Sequence, residues 1–518
     1  MLWDSLIILT YFAVVFYLGI TSRVEKSSSA REYFLKSNTL TWRSVAASTV
    51  ATNIHSGHFL GMAGSAYAIG LAQANLEINA IQGILIACFF FVPLYLKLKV
   101  TTISQFFEDR FGPKVALIFS AFTMLMYAFL YLGSTLFWGA YAVNAIFGES
   151  LQWISADPMS RIFYIGMVLG IFSAIYTYFG GMGAVVRTDI AQFILLIVGG
   201  LILTVAAVSK LGGVEMLFET TGSRMHLHLP SDHPQIPWPA LFGMMLLNLN
   251  YWGVNQIILQ RALAAKDLYQ AQLGLLIAGF LKYLMAVIII IPGIALYGIL
   301  AENPLQDPDL AYPTLVQMLL PAGVRGLILC GLFASLMSSV DSMFHSISTL
   351  WSVDIYKRHI KPNATDSEMI SMARGAILVT LFAGILFTWV NVYVKFENPD
   401  FPLTHWFNSI TYYIKNGFVF LILAAVLVGT ASKRLVLWTL IGSVPLTVLL
   451  ANLVPALNYF NRSSIVILSA FALVATPTVI KKGWSLRWKD LLQSSDPRIS
   501  RIGWILLGSL IMTHIVFH

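Results

Sequence analysis

Apolar runs of about 20 residues, each closed by a short polar or charged turn, recur along the whole chain. About 20 such residues are what a membrane-crossing helix needs. Fourteen stretches qualify: 3–21, 43–72, 77–98, 115–147, 160–180, 187–210, 238–262, 273–302, 312–352, 368–392, 403–429, 435–457, 463–480 and 500–517. Two of them are interrupted. Residues 50–61, VATNIHSGHFLG, set Asn53, His55, Ser56, Gly57 and His58 inside the second stretch. Residues 248–256, NLNYWGVNQ, do the same in the seventh, where Asn248, Asn250, Gly253 and Asn255 are poor helix formers. Backbone unwound at membrane depth is tolerated only where it is buried in protein or lines a cavity. The two breaks lie five spans apart, an odd number, so they run in opposite directions. An inverted five-plus-five repeat over spans two to eleven produces that arrangement, with a site between the breaks at mid-membrane.

Composition agrees with the pattern. Of 518 residues, 58% are hydrophobic and 11% charged, against about 25% charged in soluble proteins. The chain therefore reads as an all-α integral membrane protein whose surroundings are lipid. Its net charge of +8 does not call for nucleic acid, because the basic residues sit in short loops. Arg23, Lys26, Arg31, Lys36, Lys97, Lys99, Arg187, Arg261, Lys357, Arg358, Lys433 and Lys481 fall in loops of one parity. Glu149, Asp157, Glu215, Glu302, Asp307, Glu397 and Asp400 fall in the other. The positive-inside rule then orients a multi-pass protein of the plasma (inner) membrane with both termini outside. The first span has its basic cluster after it, the reverse of a cleavable signal, and is expected to be retained. The expected organisation is a peripheral span and loop (1–42), a first repeat (43–210), an outside loop (211–237), a second repeat (238–430) and peripheral C-terminal spans (431–518). Cys88 and Cys330 lie in apolar runs, which speaks against a disulfide framework. The outside loop carries His226, His228 and His233 at irregular spacing, read as solvated rather than metal-binding.

Polar side chains inside spans are costly and face a cavity or a partner. Asn53 and His58 read as cavity residues, whereas Gly61 and Gly64 read as close-packing positions. Glu77 opens span three, either complementing the helix dipole or acting as a ligand. Lys282 opens span eight, either snorkelling to the interface or donating to substrate hydroxyls or a carboxylate. Tyr251 and Trp252 offer flat surfaces beside the second break. In span nine, Ser335, Ser338, Ser339, Ser342 and Ser346 follow helical spacing along one stripe, with Asp341 and His345 beside it. Asp189 lies at the inner mouth of span six, where an ion pair with Arg187 or another loop charge competes with any site role. Main-chain oxygens and serine hydroxyls together suit a small hard cation.

The stretches ATNIHSGHFLGMAG, YFGGMGAVVRTDIAQ, YWGVNQIILQRALAAKD, AYPTLVQMLLPAGVRGLILCGLFASLMSSVDS and STLWSVDIYKR resemble, in order, the sodium:solute symporter family, and within it the sodium/glucose cotransporters. The resemblance covers about residues 3–430. It implies the LeuT-type inverted-repeat fold and sodium-coupled uptake by alternating access. It also implies a sodium site on the backbone oxygens of Ala51, Ile54 and Ser335 and the hydroxyls of Ser338 and Ser339. A further sodium would use Asp189, and Asp341, which stands where relatives often have Thr or Ala, is also a candidate for a second cation site. Sugar contacts would fall on Asn53, His58, Glu77, Asn248, Lys282 and Asn408, with Tyr251 as a stacking inner gate followed by Trp252. Asn408 replaces the usual glutamine, Ile78 a tryptophan, and IKNGF with Lys415 a Gly-Pro-Pro-like turn.

These residues imply sodium as the coupled ion and a small neutral polyol, a monosaccharide first of all, as cargo. An organic anion such as a sialic acid or carboxylate is the alternative that Lys282, Lys415 and His58 support and Glu77 opposes. A sodium-gated sugar sensor without net uptake is a third reading. No nucleophile–base pair lies at membrane depth, so an enzyme is not expected. Of the two histidines beside the first break, His58 reads as the pocket residue and His55 as a packed or gating one.

Overall fold

The computed structural model describes residues 2–22, 29–55, 57–397, 403–484 and 495–518; the side chains of 2, 403–406, 408 and 409 lie outside that description. The chain is helical almost throughout, and among the described residues eleven helices are long and apolar enough to cross a membrane. Eleven rather than fourteen follows from how the expected spans join and break. Spans 160–180 and 187–210 fall in one stretch, Pro158–Leu211, whose only non-helical residue is Gly181 (φ 53°, ψ −146°). A Cβ at Gly181 would sit 2.6 Å from the Tyr33 carbonyl oxygen, so both backbone and space favour glycine there. The two interrupted spans appear as shorter pieces, Trp42–Asn53 before the first break and Ala240–Gly253 with Gln256–Leu263 around the second. Span nine also differs from expectation. Ala311–Leu319 is a separate short helix, a turn at Gly323 (φ 89°) follows, and the long helix runs Val324–Ile360.

Burial sorts the helices into inner and outer positions. The best apolar window of Val324–Ile360 is 94% buried, against 17% near the N-terminus and 22% in Pro497–Val516. A helix enclosed on all sides forms the centre, and helices buried on one face surround it. Helix Val324–Thr349 packs against Pro158–Leu211, Trp42–Asn53, Asp366–Glu397 and Leu2–Ile20. Its continuation carries Asp354, whose carboxylate accepts from Thr102 Oγ1 (2.7 Å) and Ser120 Oγ (2.9 Å), tying two neighbouring helices to its end.

Helix Leu268–Ile299 supports both sides of the first break, because Trp42–Asn53 and Ala63–Ile69 both pack on it. Gly293 lets the backbone approach: a Cβ there would lie 2.3 Å from the Ala63 carbonyl oxygen. The loop 211–237 contains the helix Val214–Thr221. Two of its histidines meet the C-terminal residues, His226 Nδ1 with the His518 carbonyl (2.7 Å) and His228 Nε2 with His514 Nδ1 (3.1 Å).

Gly293→Ala should destabilise the protein by ~1–3 kcal/mol, because the obstacle is backbone and cannot rotate away. Gly375→Ala, with open space around it, is the control; melting temperatures in detergent should fall only for the first. A second expectation concerns Asp309, in the turn Pro308–Leu310. Burial and the neighbouring Asp307 raise its pKa to about 6, with Lys395 partly opposing. The fold thus favours the protonated acid. That stabilisation is full below the ordinary carboxyl pKa of about 4 and is lost as pH rises through 6. Asp309→Asn should therefore raise the melting temperature at pH 8, and the gain should vanish by pH 4.

Candidate functional site

The first break begins where Ile54 turns extended (φ −97°, ψ 107°) after Asn53, and the chain resumes as a π turn over His58–Met62. Two histidines satisfy the backbone opened there. The His55 N–H donates to His58 Nδ1 (3.2 Å), and the Gly57 N–H donates to His55 Nδ1 (3.1 Å). Their rings meet edge to face with centroids 4.2 Å apart. Because each Nδ1 accepts, a neutral ring carries its proton on Nε2. His58 thus directs Nε2 at Glu77 Oε1, 3.5 Å away. His55, expected to be a packed or gating residue, is a cap for the interrupted helix.

The second break is at Val254 and Asn255. The Asn255 side chain accepts from the Ile257 N–H (3.0 Å) and from Tyr127 Oη (2.6 Å), so it caps the resumed helix and anchors it to a neighbour. The two breaks face each other across one cavity. Asn53 Nδ2 donates to the Tyr251 hydroxyl (2.7 Å), Lys282 Nζ donates to Asn53 Oδ1, and Lys282 Nζ pairs with Glu77 Oε2 (2.6 Å). Lys282 and Glu77 are 1% and 3% exposed, which rules against a snorkelling lysine and a surface dipole partner. Asn248 Nδ2 reaches the Asn79 carbonyl (2.9 Å), and Trp252 lies against Gly83, where a Cβ would be 2.5 Å from the indole.

Asn53, His58, Glu77, Asn248, Tyr251, Trp252 and Lys282 all line this cavity, whose accessible volume is about 270 Å³. The Trp252 indole nitrogen is buried there with no partner among the described residues. Asn408 is in helix Leu403–Leu427, and its side chain lies outside the described residues; the same helix contributes Phe407, Tyr412 and Lys415 to the wall.

Behind Asn53, the serine stripe meets the end of Trp42–Asn53. Ala51, Ile54, Ser335, Ser338 and Ser339 are all buried. Ser339 Oγ donates to the Thr52 carbonyl (3.0 Å) and the Ser335 carbonyl (3.2 Å), and Ser338 Oγ donates to Asp189 Oδ1. A helix that stops at Asn53 leaves its last-turn carbonyls without their usual donors, the feature a hard cation uses.

Asp189 is not at an open mouth and does not pair with Arg187, which is exposed on the same long helix. Its partner is Arg261, expected in a loop but wholly buried. The guanidinium Nη2 lies 3.4 Å from Asp189 Oδ2 and donates to Thr52 Oγ1 (2.9 Å) and Ser342 Oγ. Arg261 Nε donates to Ser48 Oγ (3.1 Å), which donates onward to Asp189 Oδ2. The network joins the pieces after the second break and before the first to two central helices. Asp341 has different partners, Tyr176 Oη and Thr177 Oγ1 (3.3 Å). The two aspartates thus sit in separate hydrogen-bond sets rather than one cluster. Along the sequence Arg261, in ILQRALA, reads as one more basic residue of a short loop.

Residues 33–442 match the sodium:solute symporter family. The chain is 34% identical over 413 residues to a sodium/glucose cotransporter of Vibrio parahaemolyticus, covering 74% of each protein. It is 31% identical over 425 residues to sodium/myo-inositol cotransporter 2 of Homo sapiens, covering 75% of this chain and 61% of that one. In fold it is similar to a substrate-bound, outward-open Na⁺-coupled sialic acid symporter, with a TM-score of 0.78, 20% identity, and 92% and 98% of the two chains covered.

Removing one side of the Asp189–Arg261 pair leaves an uncompensated buried charge. Arg261→Met should cost ~3–5 kcal/mol, whereas Arg261→Met with Asp189→Asn should recover most of it. Thermal melts of the purified single and double variants measure that coupling directly.

Proposed function

The chain belongs to the sodium:solute symporter family, and on that premise we propose that it imports a small polyol of monosaccharide size by sodium-coupled alternating access. The observation that carries the reading is the ring formed by Asn53, Tyr251, Lys282, Glu77 and His58 around one cavity. It presents amide, hydroxyl, ammonium, carboxylate and imidazole groups at short range. A sugar hydroxyl donates once and accepts twice, so a surface alternating both roles suits it. The unpaired Trp252 indole N–H adds a donor for which a substrate oxygen is a fitting partner. Tyr251, held by Asn53, is the aromatic cover of this site on the reading proposed.

Sodium is the co-transported ion of this reading. Its ligands are the carbonyls of Ala51, Ile54 and Ser335 with the hydroxyls of Ser338 and Ser339, one wall of which already touches Thr52. For a second cation, the ion pair with Arg261 makes Asp189 the poorer candidate and leaves Asp341 the better one. Each sodium crossing 100 mV supplies about 2.3 kcal/mol, and about 1.4 kcal/mol is tenfold in concentration. One ion thus accumulates a neutral solute about 40-fold, and two about two thousandfold.

The architecture proposed with this function has fourteen crossings. A straight helix of 54 residues is about 81 Å long, far more than one bilayer core of about 30 Å, so Pro158–Leu211 divides into two crossings at Gly181. Counting each interrupted helix as one crossing completes the inverted repeats 43–210 and 238–430, with 1–42 and 431–518 peripheral. Both termini are outside the plasma membrane in this arrangement.

Proteoliposomes with an inward sodium gradient should accumulate labelled glucose or inositol above equilibrium and lose that overshoot when choline replaces sodium. Ser339→Ala should raise the half-saturating sodium concentration at least tenfold. Uptake indifferent to sodium would sink the proposal.

A further inference from the structure

The cavity's charges do not balance. Among the described residues its wall holds one acidic side chain, Glu77, and two lysines, Lys282 and Lys415. Glu77 is committed to Lys282 at 2.6 Å, and both are buried, so that pair is neutral. The neighbouring histidines are occupied by backbone N–H groups on Nδ1 and add no anion. Lys415 is therefore the cation left over among the described residues.

Its surroundings are aromatic. Lys415 Nζ lies 4.8 Å from the ring centroid of Tyr412 and 5.2 Å from that of Tyr131. Each of these tyrosines is braced by a stacked neighbour, Tyr412 by Tyr459 at 5.3 Å and Tyr131 by Tyr127 at 5.7 Å. Two ring faces hold an ammonium in place, yet they do not replace the hydration it loses on burial. A ligand carboxylate in the same cavity would supply the missing counter-charge. Among the described residues no arginine lines the cavity, so the planar fork that favours a phosphate dianion is lacking there, and one lysine matches one monoanion.

We propose that Lys415, caged by Tyr131 and Tyr412, binds the carboxylate of the cargo, and that the cargo is a carboxylated monosaccharide, a sugar acid such as a uronate. The hydroxyls of that molecule use the ring around Asn53, Glu77 and Lys282, and its acid group uses Lys415 in the same cavity. This rests on the polyol reading above and changes its charge from neutral to singly negative. It also changes the energetics, because a monoanion moved with one sodium crosses without net charge and gains nothing from the membrane potential.

The test is a binding titration of the full-length protein in detergent at saturating sodium, read by tryptophan fluorescence. The probes are D-glucuronate against D-glucose and D-galacturonate against D-galactose. Each acid should bind at least tenfold more tightly than its neutral sugar, and Lys415→Met should bring that ratio close to one. Should the variant not accumulate, the ratio in the unmodified protein decides by itself. Equal binding of acid and neutral sugar overturns the assignment of Lys415 and leaves the polyol reading standing. Absence of binding by all four overturns the polyol reading and this one with it. Competition by acetate as strong as by glucuronate shows a simple carboxylate site and overturns the sugar-acid assignment.

Discussion

Inside hydrocarbon, backbone groups released by opening a helix have no water to turn to, and the protein itself must satisfy them. The structure meets this requirement twice. At the first break, His55 and His58 accept the N–H groups of Gly57 and His55. At the second, Asn255 accepts from Ile257 and is held by Tyr127. Each solution recruits side chains that then have a fixed orientation toward the cavity, so the local repair of a helix also aims the groups around the site.

The breaks matter to one another because residues 52 and 53 touch both sides of the polar interior. Thr52 receives the Arg261 guanidinium on its hydroxyl and Ser339 on its carbonyl. Asn53, one residue later, bonds Tyr251 and Lys282. On the proposed reading these are the ion wall and the cargo wall. A shift of either wall moves the same short segment, which gives a physical route by which occupancy of one site is felt at the other. Arg261 extends that route to the helix after the second break, since its Nη1 also donates to its own helix at the Ile257 carbonyl.

Much of this was legible along the chain. The apolar runs, the two interrupted helices and the enclosed serine stripe follow from composition and spacing, because the bilayer penalises polar residues that have no partner. Seven of the eight residues expected at the cargo site line one cavity. The departures have a common cause. Gly181 reads as one glycine among several until Tyr33 is found against it. Arg261 reads as a loop charge until its helix turns out to end inside the protein. Asp189 and Asp341 both read as candidates for a further sodium, yet they bond different neighbours.

The sequence by itself determined that the chain lies in a membrane, where its helices open, and which polar residues must find partners there. Those conclusions rest on the local cost of placing a given residue type in hydrocarbon, which needs no knowledge of distant contacts. Only the tertiary structure decided who those partners are: Glu77 for Lys282, Arg261 for Asp189, and two tyrosine faces for Lys415. Charge balance in a cavity is a sum over side chains from helices far apart in the chain, and no spacing along one strand of sequence contains it.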